Sequence, residues 1–155
     1  MTAETPLQLA VRNGHRNAIL RLLKYGAKTY DRTSGSILDY AVSNGSRDIA
    51  LFLLNYCGVE TSSYTLMRAV DRDTCRPGES MVETFVTEVP DINIISNTGY
   101  NALHLAVCWT QPNLCRILLE HGADVNLRND TENMTPMEME TDDSVRAVLI
   151  EYGAN

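Results

Sequence analysis

His104 and Cys108 stand four residues apart, a spacing that puts both on one helical face and would let an imidazole draw the proton from a thiol. Cys108, Cys115 and His121 add further ligand-type side chains, but their separations of seven and six fall across two expected helices and do not match a compact zinc site. No Gly-x-Gly-x-x-Gly, phosphate-binding Gly-Lys-Ser/Thr loop or Gly-x-Ser-x-Gly elbow occurs. The adjacent acids Asp142 and Asp143 sit at an expected helix start, where the positive dipole end accounts for them. The expectation is a protein without enzymatic activity, cofactor or metal.

Those side chains depend on the elements that hold them. The 155 residues, 44% hydrophobic and 21% charged with 9 Gly and 5 Pro, have the composition of a folded globular chain. The longest aliphatic and aromatic run, residues 49–54, is far shorter than the ~20 residues of a membrane span, and the opening residues do not resemble a secretory signal. Four cysteines (Cys57, Cys75, Cys108, Cys115) contain no Cys-x-x-Cys pair, which points to reduced thiols and a cytoplasmic or nuclear setting. Asn-x-Ser/Thr triplets at Asn44, Asn129 and Asn133 then read as turn chemistry.

Charge is unevenly spread. Residues 1–47 carry seven bases against three acids, a +4 segment, and the remainder carries six bases against 17 acids, a −11 segment. The net charge of −7 argues against nucleic acid as partner, because phosphate binding needs a surplus of Lys and Arg. The acidic portion is either a solvated face or a means of steering a partner with a basic segment.

The chain repeats itself. Thr5-Pro6-Leu7-Gln8-Leu9-Ala10-Val11 aligns with Asn101-Ala102-Leu103-His104-Leu105-Ala106-Val107 at a shift of 96, three times 32. The same frame holds Ser36-Ile37-Leu38-Asp39-Tyr40-Ala41-Val42, a degenerate copy from Tyr64, and a truncated copy from Thr135-Pro136-Met137. Thr-Pro starts a helix, because the hydroxyl caps free N–H groups and Pro at the first helical position lacks the one left unpaired. Asn13-Gly14 ends it, and Ile19, Leu22 and Leu23 give the apolar face of a second helix that stops at Tyr25-Gly26. Such a hairpin cannot bury its apolar face alone, so the units must stack, with Ala10, Ala41, Ala69 and Ala106 allowing close approach.

These residues resemble the ankyrin repeat family, with its Thr-Pro-Leu-His-x-Ala opening and its Gly-Ala-Asp-Val-Asn close. The fourth unit carries both features most fully, in the segment from Asn97 through His104 and in His121-Gly122-Ala123-Asp124-Val125-Asn126. The likeness covers about residues 5–155 and implies one all-α solenoid of stacked helix-turn-helix units with short β-hairpin fingers. The units run approximately 5–35, 36–61, 62–95, 96–129 and 130–155. It also implies a concave surface that binds another protein, with a stand-alone inhibitor or decoy for a signalling or transcription protein as the alternative; a monomer is expected. Mapped onto the family, Asn97, Thr98 and Tyr100 lie on a finger, and Cys108 and Trp109 at the end of an inner helix, where partners are usually met. The equivalent positions elsewhere are Arg12, Asn13, Arg32, Thr33, Ser43, Asn44, Asp71 and Arg72. His104 falls at the family's Thr-Pro-Leu-His position, which implies a structural imidazole bonded to backbone between units. Asn126 resembles a site of asparaginyl hydroxylases.

Several departures are particular to this chain. The finger between units two and three is shortened or missing, and the connection from Asp71 to Glu79 is about four residues longer than its unit-one equivalent. That pair of changes is either drift or a notch and lip shaping the groove. Trp109 either packs under the Thr110-Gln111-Pro112 loop, which lacks the usual Gly, or contacts a partner. Tyr25, Tyr56, His121 and Tyr152 recur just before the outer-helix terminus of four units, at the core edge or as contacts. Glu138 and Glu140 make the last inner helix polar, as a terminal cap requires, although the boundary at Asn155 equally fits a segment of a longer protein.

Overall fold

The computed structural model describes residues 4–31, 35–75, 80–139 and 142–155. Helix pairs follow one another along the chain: α1 (Pro6–Arg12) and α2 (Arg16–Lys24), α3 (Ile37–Ser43) and α4 (Arg47–Cys57), α5 (Ser63–Cys75) and α6 (Met81–Phe85), α7 (Ala102–Cys108) and α8 (Pro112–Glu120), then α9 (Asp143–Glu151). One short hairpin, β1 (Tyr30–Asp31) and β2 (Gly35–Ser36), projects between the first two pairs with Tyr30 opposite Ser36.

A side-chain cap starts α1, α3 and α7. Thr5 Oγ1 accepts from the Gln8 N–H at 3.2 Å while Gln8 Oε1 accepts from the Thr5 N–H at 2.8 Å, a reciprocal capping box behind Pro6. Ser36 and Asp39 repeat it at 3.0 and 3.1 Å, and Asn101 caps His104 at 2.9 Å. The stop signal is equally local: Gly14 (φ 71°) and Gly45 (φ 70°) follow the first turns of residues that leave α1 and α3, in a left-handed conformation that penalises a Cβ.

The helices pack as a solenoid. Inner helices α1, α3, α5 and α7 lie on one another in that order, and each of them also packs on its own outer helix. Ala10, Ala41, Ala69 and Ala106 are all buried at the inner contact. Ile19, Leu53, Phe85, Leu118 and Leu149 are fully buried along the outer row, each contributing roughly 1.5–3 kcal/mol by leaving water. Leu22 and Leu23 differ from the expected full facing. Both are half-buried, because α2 has a neighbouring outer helix, α4, on one side only.

Polar stitches fix the register between units. The buried Asp39 carboxylate accepts from the Thr65 hydroxyl at 2.6 Å and from Ser62 Oγ at 3.4 Å, tying unit two to unit three. His104 performs the equivalent task between units four and five: Nδ1 meets Asn101 Oδ1 at 2.7 Å and Nε2 meets the Met134 carbonyl at 3.3 Å. On the fingers, the Asp124 N–H donates to Asn93 Oδ1 at 2.8 Å and the Asn155 N–H to Asn126 Oδ1 at 3.1 Å. Arg47 Nε donates to Thr84 Oγ1 at 2.9 Å, linking α4 to α6.

Three features depart from the repeat. Between units two and three only residues 58–62 separate α4 from α5, with Gly58 at φ 63° and no strand among them. The added residues of unit three lengthen its helix instead of forming a loop throughout: α5 has 13 residues against 7 in α1, α3 and α7. Asp73 from that extension then caps α6, accepting from the N–H groups of Met81 and Val82 at 3.0 Å each. In unit five the expected inner helix is a single turn, in which the Thr135 N–H donates to Glu138 Oε2 at 2.8 Å and the Glu138 N–H donates back to Thr135 Oγ1 at 3.3 Å. Arg128 draws Glu138 outward at 2.8 Å, and these contacts hold the carboxyl below the usual range. Glu140 and the connection at 76–79 lie outside the described residues.

Candidate protein-binding surface

The unit-four candidates surround α7. Asn101 is buried as the helix cap, which fixes Tyr100 immediately before it; the Tyr100 ring meets His104 edge-on at 6.1 Å between centroids, and its hydroxyl donates to Glu132 Oε2 at 3.3 Å. Trp109 is the C-cap at the other end, 52% exposed, so packing beneath the following loop is not its main role. Thr110 takes the left-handed turn (φ 53°) that Gly makes in units one and two, and Gln111 Nε2 donates to the Trp109 carbonyl at 3.2 Å. Tyr100 and Trp109 thus lie at opposite ends of α7, whose seven residues span about 10 Å at 1.5 Å per residue. Asn97 and Thr98 are exposed on the finger, where Ser96 Oγ and Thr98 Oγ1 lie 2.6 Å apart. Gly99 (φ 84°) is packed so closely on Thr131 of the next finger that a Cβ there would approach Thr131 Cγ2 at 2.6 Å.

The remaining candidates are in several states. Arg12 is exposed but already paired with Glu4 at 2.7 Å, and Glu4 in turn accepts from the Tyr40 hydroxyl. Asn13, Ser43 and Asn44 are exposed at the ends of α1 and α3, with Asn44 Nδ2 donating to the Tyr40 carbonyl at 3.0 Å. Asp71 and Arg72 are half-buried, and the Arg72 guanidinium lies across Gly45 of the preceding unit. Arg32 and Thr33 lie outside the described residues.

One row escaped the sequence reading. Leu9, Tyr40 and Leu105 each fall four positions beyond their helix caps, Thr5, Ser36 and Asn101. Leu9 is 44% exposed, and Tyr40 and Leu105 are half-buried. The available signal was a large apolar residue between the buried third position and the buried Ala in three units.

His104 and Cys108 carry no sign of an activated pair. Both His104 ring nitrogens are engaged, and burial depresses its basicity despite the Met134 carbonyl, so the ring is held neutral as a structural bridge. The Cys108 thiol is raised by desolvation and by the Glu132 carboxylate, and the buried Cys115 thiol is pushed up to about 12. Neither is an activated thiolate. Among the described residues no cluster of three His, Cys, Asp or Glu side chains could hold a metal, and no helix is long and apolar enough to cross a membrane.

Residues 2–65 and 66–154 match the family profile described as Ankyrin repeats (3 copies). This chain belongs to the ankyrin repeat family. Relatives of the ankyrin chain include human Ankyrin repeat and SOCS box protein 6, 39% identical over 62 residues that cover 37% of this chain and 15% of that protein. Mouse Neurogenic locus notch homolog protein 1 is 28% identical over 146 residues, covering 88% of this chain and 6% of that protein. The chain therefore spans a small part of these relatives. Its fold matches the crystal structure of the ankyrin repeat domain of Bcl-3, a member of the IkappaB protein family, at a TM-score of 0.80 and 22% identity, over 100% of this chain and 74% of the other. Ankyrin repeats are general protein–protein interaction modules.

Proposed function

We propose that this ankyrin chain is a non-enzymatic binding module whose inner helices and fingers capture a partner protein, with Trp109 and Tyr100 as anchors and Glu132 as the counter-charge. The observation that carries the reading is the 52% exposure of the single Trp, held at a helix cap one residue from the Cys108 thiol on which Glu132 acts. Trp and Tyr are enriched among residues that dominate binding energy, because they offer large contact area with few rotors. The Glu132 carboxylate, which meets the Tyr100 hydroxyl at 3.3 Å, offers a partner's Lys or Arg a counter-charge next to an aromatic ring. The pre-ordered surface keeps the entropy cost of association low.

The test uses the full chain as bait for a phage-displayed library of random peptides, followed by calorimetry on the enriched sequences. Basic sequences should emerge, lose about tenfold or more in affinity on the double substitution Trp109→Ala and Tyr100→Ala (~1.4 kcal/mol), and weaken with added salt. A change within about twofold, or an affinity indifferent to ionic strength, overturns the reading.

A further inference from the structure

The outer side of units one and two presents a surface unlike the rest of the solenoid. Tyr25 is 85% exposed, Tyr56 is 78% exposed and Leu20 is 45% exposed, and Phe52 is half-buried. Arg16 and Leu20 are one turn apart on α2, and Phe52 and Tyr56 one turn apart on α4. The Arg16 guanidinium lies 5.4 Å over the Phe52 ring, and Phe52 stacks on Tyr56 at 5.7 Å, so the faces of the two helices join in one strip. Of the two roles the sequence leaves open for Tyr25 and Tyr56, core edge or contact, their exposure favours the second.

The equivalent positions at the other end are occupied from within. His121 Nδ1 meets the Ile117 carbonyl at 2.8 Å, and the Tyr152 hydroxyl donates to Glu120 at 3.3 Å with the Arg116 guanidinium 5.9 Å from its ring. Arg116 is itself held by Glu151 through two bonds of 2.8 Å. Neither Tyr25 nor Tyr56 has a hydroxyl partner among the described residues, and Arg16, Arg21, Lys24 and Lys28 have no ion-pair partner among them either. All four bases are exposed: Arg16, Arg21 and Lys24 belong to α2, Lys28 follows it, and Asp48 is the acid in the first turn of α4.

We infer that the outer face of α2 and α4 is a second docking surface, for a protein segment that sets acidic side chains beside apolar ones. Its sign is opposite to that of the unit-four surface and it faces away from the inner helices, so it rests on observations independent of the first reading. Charge selects the occupant: four unpaired bases attract carboxylates, while Leu20, Phe52 and Tyr56 need apolar contact that a bare polyanion does not supply. One chain then holds a basic segment and an acidic segment at once.

The same displayed-peptide selection on the full chain provides the test, repeated with two further baits. Arg21→Glu with Lys24→Glu reverses charge at exposed positions, and Leu20→Ser with Tyr56→Ser removes the apolar contact; circular dichroism checks that each retains the native helix content. Sequences that interleave Asp or Glu with apolar residues should be enriched on the wild-type chain, lose about tenfold or more on either variant, and bind the Trp109→Ala, Tyr100→Ala variant unchanged. Failure of that last arm alone would show one shared site and overturn independence. Enrichment without an acidic bias, or insensitivity to both variants, overturns the inference. So does sedimentation showing self-association that Arg21→Glu with Lys24→Glu abolishes, or tighter binding of labelled single-stranded RNA than of the peptides through the same residues.

Discussion

Truncating Leu118 to Ala should cost about 3–4 kcal/mol, and truncating Leu22 to Ala about 1 kcal/mol, although the two occupy the same place in their repeats. Leu118 is fully buried in α8 between α6, α7 and α9, so losing Cγ and both Cδ atoms forfeits ~2.4 kcal/mol of transfer free energy and leaves a closed cavity that adds to it. Leu22 is half-buried at the edge of the stack, where water replaces the lost atoms and no cavity closes. Urea denaturation followed by far-ultraviolet circular dichroism gives both free energies. The fluorescence of Trp109, the sole Trp and a neighbour of α8 in unit four, reports that unit separately. In Leu118→Ala the fluorescence midpoint should fall ahead of the dichroism midpoint, because coupling in such an array runs only between nearest neighbours. A cost below about 1 kcal/mol for Leu118→Ala, or one for Leu22→Ala that equals it, would refute the stacking argument.

Replacing Asp39 with Ala and Thr65 with Val, singly and together, should give a coupling energy of about 1.5–3 kcal/mol in a double-mutant cycle, since the 2.6 Å bond is buried and its acceptor is a carboxylate; additive effects would contradict the stitch. His104 is depressed below its ordinary 6.5, so the unfolded chain binds the proton more readily. Stability is then complete above about pH 6.5 and falls as pH drops below it, and denaturation of His104→Gln at pH 7.5 and 5.5 should show a smaller acid loss than wild type. Gly99→Ala should destabilise by more than about 1 kcal/mol in thermal melts, because φ is 84° and the new Cβ meets Thr131; a neutral result would refute the tight finger contact.

What could be read in the chain beforehand was whatever local chemistry decides. Thr5-Pro6, Ser36 with Asp39 and Asn101 with His104 start helices through contacts within three residues, and Gly14 and Gly45 end turns by backbone preference alone. What could not be read depends on neighbours distant in sequence. The turn at Glu138 is held partly by Arg128, ten positions away. Asp73 reaches eight and nine positions forward to cap α6, and Arg12 loses its freedom to Glu4 and Tyr40. Two roles stay open for Trp109 in the sequence because the left-handed turn beside it is made by Thr110, a residue type that rarely takes that conformation, so the Gly signal of the other units is missing. The Leu9, Tyr40 and Leu105 row was hidden because a large apolar residue in an amphipathic helix reads first as core.

Contacts confined to adjacent units also determine how damage spreads. A lesion in α2 reaches α1 and α4 directly, but reaches α8 only through successive interfaces, and each one attenuates it. Epistasis should therefore decay with distance along the stack, so that substitutions at one end leave recognition at the other intact and a genetic screen can separate the two ends within a single polypeptide.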